Sequence, residues 1–310
     1  MNILLLGASG FVGTNVGNVL ASHNIAYHTA SRATGTDGRS LPAMLTMLEE
    51  AKPDIIINCA AHVGSLNYVT EQAATVVTDN ALLILNLYQA VAATNKHCII
   101  INPIANCTYP AVDEKFVETE LWNGPVHPSV YAYGGAKRFL LTVAKSFAMQ
   151  YDIKSIQLLV PNMYGPHDST DPNKAHALNA LISRFVKAER MGNPNITLWG
   201  TGIAVREWLY AEDFGKIIYQ IIKDAAMQGL EEPINIAQNT GLTVKELTVI
   251  IQQHFTTPSN ISWDANMPNG APKKVMDDAL FKKVFPNFSF ANFNEGIAST
   301  IAYYHTKFPY

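Results

Sequence analysis

An excess of charge of either sign is missing from this 310-residue chain: 22 lysines and arginines stand against 25 aspartates and glutamates, for a net charge of -3, and only 15% of residues are charged. Without a basic face there is no electrostatic footprint for a phosphate backbone or an anionic lipid surface, so neither a nucleic-acid nor a membrane partner is expected. Cysteine is scarce as well. Cys59, Cys98 and Cys107 are too few to staple a chain of this length, and no Cys-x-x-Cys or zinc-ligand spacing occurs, so neither a disulfide framework nor a metal site is expected. A reducing, cytoplasmic compartment is the natural expectation. The apolar start Met1 to Leu6 lacks a basic flank and is too short for a signal core or a membrane span, so it reads as a buried first strand. No internal repeat or low-complexity tract appears.

What the chain does have is a 48% hydrophobic content, enough for a large core. Its apolar runs alternate with helical stretches over residues 1–165. Strands are expected over Asn2 to Leu6, Ala26 to Ala30, Asp54 to Asn58, Cys98 to Asn102 and Ser155 to Leu159. Helices are expected over Phe11 to Leu20, Leu41 to Ala51, Asp79 to Thr94 and Tyr133 to Gln150. This is the pattern of βαβ units, an α/β fold with a Rossmann-type doubly wound parallel sheet. Residues 1–165 are expected to form a dinucleotide-binding domain, with a returning segment at 205–240 that includes a strand at Ile234 to Ala237. Residues 166–204 and 241–310 are expected to form a smaller substrate lobe.

The run Leu6-Gly7-Ala8-Ser9-Gly10-Phe11-Val12-Gly13 ends the first strand, turns through glycines and opens a helix. Glycines allow a tight turn and close approach of backbone to a pyrophosphate, and the helix N-terminus offers free N–H groups. A dinucleotide is therefore expected at this turn. Ser31-Arg32 follows the second strand, with no carboxylate before Asp37, an arrangement that favours NADP(H) while leaving NAD(H) possible. Farther along, Tyr133-Gly-Gly-Ala-Lys137 sets a phenol and an ammonium on one helix face. A cation there is expected to lower the phenol's pKa and to help it exchange a proton as hydride moves.

Together with Asn58-Cys59-Ala60-Ala61-His62-Val63-Gly64, Cys107-Thr108-Tyr109-Pro110, Pro161-Asn162-Met163-Tyr164-Gly165-Pro166-His167-Asp168, Trp199-Gly200-Thr201-Gly202 and Arg206-Glu207-Trp208-Leu209, these motifs resemble the extended short-chain dehydrogenase/reductase family of NAD-dependent epimerases and dehydratases. Within that family they look most like the GDP-L-fucose synthases. The resemblance implies an NADP(H)-dependent epimerase/reductase acting on a GDP-linked 4-keto-6-deoxy sugar, and a homodimer formed through the helices after Asp79 and Tyr133. It implies that Cys107 and His176 move protons at the carbons beside the ketone, while Tyr133 donates in reduction with Lys137 as its electrostatic partner. Gly7, Ser9, Gly10, Phe11, Val12, Gly13, Arg32, Ala60, Ala61, Tyr133, Lys137 and His176 would hold the cofactor. Asn162, Arg184, Trp199, Arg206 and Lys274 would hold the nucleotide sugar, and Asn80 would support the site.

The chain departs from that pattern at Ala105, where the family usually places a Ser or Thr that hydrogen-bonds the reacting sugar oxygen. Either Asn106 or Thr108 substitutes, or the C4 redox step is weakened. An epimerase without net reduction, an oxidoreductase that retains its cofactor, and a non-catalytic nucleotide sensor therefore stay open. The two glycines after Tyr133 are also unusual in a helix, and are expected to leave room for a bulkier sugar.

Overall fold

The computed structural model describes residues 1–111, 115–267 and 270–310. The elements up to the middle of the chain are β1 (Ile3–Leu6), α1 (Phe11–Ser22), β2 (His28–Ala30), α2 (Leu41–Ala51), β3 (Ile55–Asn58), α3 (Leu66–Glu71), α4 (Ala73–Thr94), β4 (Ile99–Ala105), α5 (Tyr131–Tyr151) and β5 (Ser155–Val160). After them come β6 (Asn162–Tyr164), α6 (Ala177–Arg190), β7 (Asn195–Trp199), β8 (Val205–Arg206), β9 (Trp208–Tyr210), α7 (Ala211–Lys223) and β10 (Ile234–Asn235). The last are β11 (Leu242–Thr243), α8 (Val244–Gln252), β12 (Asn260–Asp264), β13 (Lys273–Lys274), α9 (Ala279–Val284) and α10 (Phe293–Lys307).

Six strands form one sheet in the order β10-β5-β4-β3-β1-β2, every pairing parallel. The chain leaves β1 to one side to make β2 and returns on its other side to make β3, which opens a crevice at the carboxyl ends of β1 and β3. The alternation of side chains along a strand explains the two layers that cover the sheet. Leu4, Leu6, Ile56 and Ile100 face one way and pack with Met44, Leu87 and Leu140 of α2, α4 and α5. Ile3, Leu5, Ile57 and Ile101 face the other way and pack with Val16 and Leu20 of α1 and with Phe214, Ile217 and Ile221 of α7. Burial on both sides is why these strands read as unbroken apolar runs.

The second strand is shorter than expected, starting at His28 instead of Ala26, and its His28 and Thr29 are exposed at the sheet edge. The returning segment supplies α7 to the α1 face and β10 to the edge beside β5. Its first residues, however, form β8 in a small sheet of order β11-β8-β13. A third core, built from Leu178, Phe185, Leu198, Ile251, Ile301 and Tyr304, joins α6, β7, α8 and α10. Phe281 and Phe285, although late in the chain, pack into the main core beside α7.

By length and composition α4 is apolar enough to cross a membrane. Its Ile84, Leu87, Tyr88 and Val91 are nevertheless buried against the sheet, and its Asn80 and Asn86 donate to backbone carbonyls of His62 and Gly38. One face of α4 goes into the core, while Val77 and Leu82 on its outer face stay exposed.

Candidate active site

At the β1/β3 crevice lies a cavity of about 570 Å³, lined at one end by Gly7, Ser9 and Gly10 and at the other by Ser31, Arg32, Asp37 and Arg39. Gly7 has φ +72°, and a Cβ there would lie 2.7 Å from the backbone of Cys59 and Ala60; a Cβ on Gly13 would run into the Gly7 carbonyl. These glycines let the turn and the α1 terminus close on each other, which is the cradle a pyrophosphate needs. Gly10 caps α1 with no side-chain bond, so first-turn N–H groups remain available, and the buried Phe11 anchors the helix start. Ala60 and Ala61 form part of the cavity wall. This shape fits a dinucleotide.

Arg32 is exposed at the mouth of the cavity, on a turn held by reciprocal bonds between Ser31 and Thr34. The sequence reading overlooked Arg39, which lines the same cavity. Its guanidinium donates to both oxygens of Asp37, at 2.7 to 3.2 Å, and to Asp79 at 3.0 Å. Asp79 in turn meets His62 Nδ1 at 2.7 Å, and His62 Nε2 lies 2.8 Å from the Tyr68 hydroxyl. The Arg39 hydrogen bonds hold the Asp37 carboxyl down at about 2. Asn80 braces the loop by bonding the backbone N–H and carbonyl of His62.

Tyr133 and Lys137 sit in the first turns of α5, with the ammonium 5.6 Å from the phenol ring centre and 3.5 Å from the Pro103 carbonyl. Contrary to expectation, the phenol's pKa is not lowered: burial pushes it up, as does the neighbouring Cys107. Tyr133 therefore stays protonated, the state a proton donor needs. Burial also lowers the pKa of Lys137, while the Cys107 and Cys59 thiols raise it. Cys107 is 8% exposed, on a turn following β4. Burial raises its thiol pKa, while Lys274 and Lys137 pull it back down.

The first glycine after Tyr133 answers to packing. A Cβ on Gly134 would lie 2.5 Å from the Cys107 carbonyl, so this residue lets α5 press against the Cys107 turn; a Cβ on Gly135 would meet nothing within 4 Å. Thr108 is also corrected. Its hydroxyl donates to the Ala105 carbonyl at 2.7 Å, leaving it no proton for a substrate oxygen.

His176 precedes α6, with its ring 5.0 Å from that of Phe11 in the glycine turn. Burial lowers its pKa, but the charge of Asp168 and a hydrogen bond to it reverse the shift and raise it overall. Asp168 is a positioning residue that the sequence reading quoted without a role; its signal was an acid eight residues before the histidine.

Among the substrate candidates, Lys274 and Arg206 are register partners on β13 and β8. His127 joins them from outside the sequence reading. It accepts from the Ser129 N–H (3.2 Å) through Nδ1, which leaves the neutral ring's hydrogen on Nε2. Burial lowers its pKa first, and the cations Lys274 and Arg206 lower it further. Arg184 donates to the Thr197 carbonyl and lies 6.0 Å from the ring of Trp199, itself 45% exposed. Asn162 donates to the Glu207 carbonyl at the start of β6.

Residues 3–237 match the NAD dependent epimerase/dehydratase family. The chain belongs to that family. Similar curated proteins include a GDP-L-fucose synthase of Azorhizobium caulinodans, 26% identical over 98% of this chain and 96% of its own length. A GDP-L-colitose synthase of Yersinia pseudotuberculosis is 26% identical over 98% of each. Among solved structures, a GDP-L-fucose synthetase from Naegleria fowleri bound to NADP superposes with a TM-score of 0.86 at 22% identity, covering 99% of this chain and 94% of that one. A GDP-6-OMe-4-keto-L-xylo-heptose reductase from C. jejuni gives 0.88 at 18% identity, covering 99% and 98%. In this epimerase/dehydratase chain, then, the glycine turn and the Cys107 turn follow the carboxyl ends of the parallel strands β1 and β4, and the helix bearing Tyr133 and Lys137 packs on the Cys107 turn.

Proposed function

We propose that the chain is an NADP(H)-dependent epimerase/reductase acting on a GDP-linked 4-keto-6-deoxy sugar, in the manner of a GDP-L-fucose synthase. The observation that carries this reading is the turn bearing Cys107, pressed against the first turn of α5 through Gly134, with the charges of Lys274 and Lys137 both acting on its thiol. A dehydrogenase pair and a proton-transfer thiol thereby occupy one site, as a combined epimerisation and reduction requires. Relatives of nearly full length named GDP-L-fucose synthase and GDP-L-colitose synthase support the same choice of substrate.

A 4-ketone acidifies the C–H bonds at C3 and C5, so a base and an acid on opposite faces can invert those centres. Cys107 and His176 fill these roles: the two lysines ease formation of a thiolate, and Asp168 holds the imidazole in its proton-bearing form. The cavity lined by Gly7, Ser9, Gly10 and Arg32 would hold NADPH, which when bound would supply the hydride for C4. Tyr133 gives its proton to the C4 oxygen, and Lys137 stabilises the phenolate that results. Arg206 and Lys274 pair with the diphosphate, whose charge compensates cations that burial disfavours. Arg184 and Trp199 flank the nucleoside, and Asn162 lies nearer the sugar.

We assign residues 1–165 and the returning segment to the cofactor domain, and 166–204 with 241–310 to the substrate lobe. A homodimer is supported by the outer face of α4, where Val77 and Leu82 are each 40% exposed. A cytoplasmic setting is supported by three cysteines that are all unpaired. The deciding test is mass spectrometry of products formed in deuterium oxide from NADPH and a panel of 4-keto nucleotide sugars. Deuterium at C3 and C5 together with stoichiometric NADPH oxidation is expected; exchange without oxidation would select the epimerase-only reading.

A further inference from the structure

Two pairs of residues share the start of α5. Tyr133 and Lys137 form one; Gly134 and Arg138, likewise four residues apart, occupy the neighbouring face of the helix. The second pair holds the turn after β4. Gly134 makes room for the Cys107 carbonyl, and Arg138 Nε donates to the next carbonyl along, that of Thr108, at 2.7 Å. The rest of the guanidinium reaches the loop that runs on to His127: Nη1 donates to the Gly124 carbonyl at 2.7 Å and Nη2 to the Leu121 carbonyl at 2.9 Å. The ring of Trp122 lies 5.7 Å away. Among the described residues no carboxylate pairs with this cation, and burial lowers its pKa. Its charge is spent on three convergent carbonyl oxygens, which only a forked set of donors can meet at once.

We propose that Arg138 is a positioning residue for proton transfer at C3 and C5: by tying the Thr108 carbonyl to α5, it fixes the Cys107 thiol relative to Tyr133 and Lys137. The inference rests on the reading above. Cys107 is pinned on both sides, because the Thr108 hydroxyl holds the Ala105 carbonyl while Arg138 holds Thr108 itself. The helix that carries the phenol thus also sets the place of the thiol, and the two reacting groups keep one spacing. Releasing Thr108 loosens the turn but leaves the cavity lined by Gly7, Ser9 and Gly10 untouched, since Arg138 bonds to none of its lining residues. A displacement of about 1 Å can cost roughly 100-fold in rate, so the loss should fall on exchange at carbon and spare cofactor binding.

The test compares wild type, Arg138→Ala and Arg138→Lys with GDP-4-keto-6-deoxy-mannose in deuterium oxide, with NADP+ in place of NADPH so that exchange is read without reduction. Deuterium uptake at C3 and C5 gives kcat and KM, and calorimetry gives the dissociation constant for NADPH. Arg138→Ala should lower kcat for uptake on the order of 100-fold, with KM and NADPH affinity nearly unchanged. Guanidinium ion added at millimolar concentration should restore at least tenfold of that loss, where the same concentration of ammonium does not. Arg138→Lys, which keeps the charge without the fork, should resemble Arg138→Ala. Retained NADPH affinity shows that both variants are folded. Uptake within threefold of wild type in either variant, a loss shared equally by NADPH binding, or no rescue by guanidinium would each overturn the proposal. A wild-type chain that takes up no deuterium would overturn the assigned function along with it, whereas an active wild type with an equally active Arg138→Ala overturns this inference alone.

Discussion

Asp168 holds His176 at two points, accepting from its backbone N–H at 2.7 Å and meeting its ring Nδ1 at 3.1 Å. The carboxylate is almost fully buried, and its backbone carbonyl accepts from the Tyr303 hydroxyl, so the pair is fixed from the α10 side. With Nδ1 held by Asp168, Nε2 is the ring nitrogen left for other partners, and the ring packs 5.0 Å from that of Phe11.

A pH dependence follows from that pair. Burial alone would lower the His176 pKa, and Asp168 raises it above the ordinary value. The imidazolium therefore persists to higher pH than in a free histidine, and an acid role at C3 or C5 survives with it. Removing the carboxylate's charge in Asp168→Asn leaves burial in control, so the alkaline limb of the deuterium-exchange profile should move to lower pH. The same sign governs stability: a raised histidine pKa contributes below the unfolded value and is lost as pH rises through the folded one. An unchanged limb in Asp168→Asn would remove His176 as the acid.

Arg32 and Arg39 share one cavity but have different duties. Arg39 is bonded to Asp37 and Asp79, so its charge is already spent on two carboxylates, while Arg32 stands exposed at the mouth. The 2′-phosphate that distinguishes NADPH from NADH should fall to Arg32. Arg32→Ala should raise KM for NADPH roughly 10- to 100-fold, the worth of one or two charge-assisted bonds, with KM for NADH nearly unchanged. Arg39→Ala should instead impair both cofactors and loosen the His62 loop. Steady-state kinetics with each cofactor decides, and equal loss of NADPH and NADH in Arg32→Ala would count against the assignment.

The strands and the glycine turn were legible because their signals are local: buried parallel strands must be apolar throughout, and a cradle for pyrophosphate must be glycine. The Tyr133/Lys137 pair was legible for the same reason, since four residues make one helical turn. What could not be read was contact between distant segments. Gly134 looks like a helix defect until the Cys107 carbonyl is found against it. His127 shows its meaning only when the β8/β13 pairing brings Arg206 and Lys274 together across 68 residues of sequence. The Tyr133 pKa was misjudged because spacing reports a nearby cation but not the burial that outweighs it.

Glu207 tests whether the segment between β8 and β9 titrates. Its carboxylate is fully buried between Arg206 and Trp208 and accepts from the backbone N–H groups of Gln238, Asn239 and Met276 at 2.6, 3.0 and 2.8 Å. Burial nevertheless pushes its pKa up to about 7. A carboxyl group whose folded pKa is raised favours the folded state below the unfolded pKa, and that contribution is lost as pH climbs through about 7. A shift of this size corresponds to on the order of 3 kcal/mol across the interval. Glu207→Gln removes the titration while keeping the shape, so whatever its absolute stability, denaturant unfolding between pH 5 and 8 should show a flatter slope than wild type. Parallel slopes would mean that the three N–H donors hold the carboxylate ionised throughout, and that the junction of β9, the 238–239 loop and β13 is insensitive to pH.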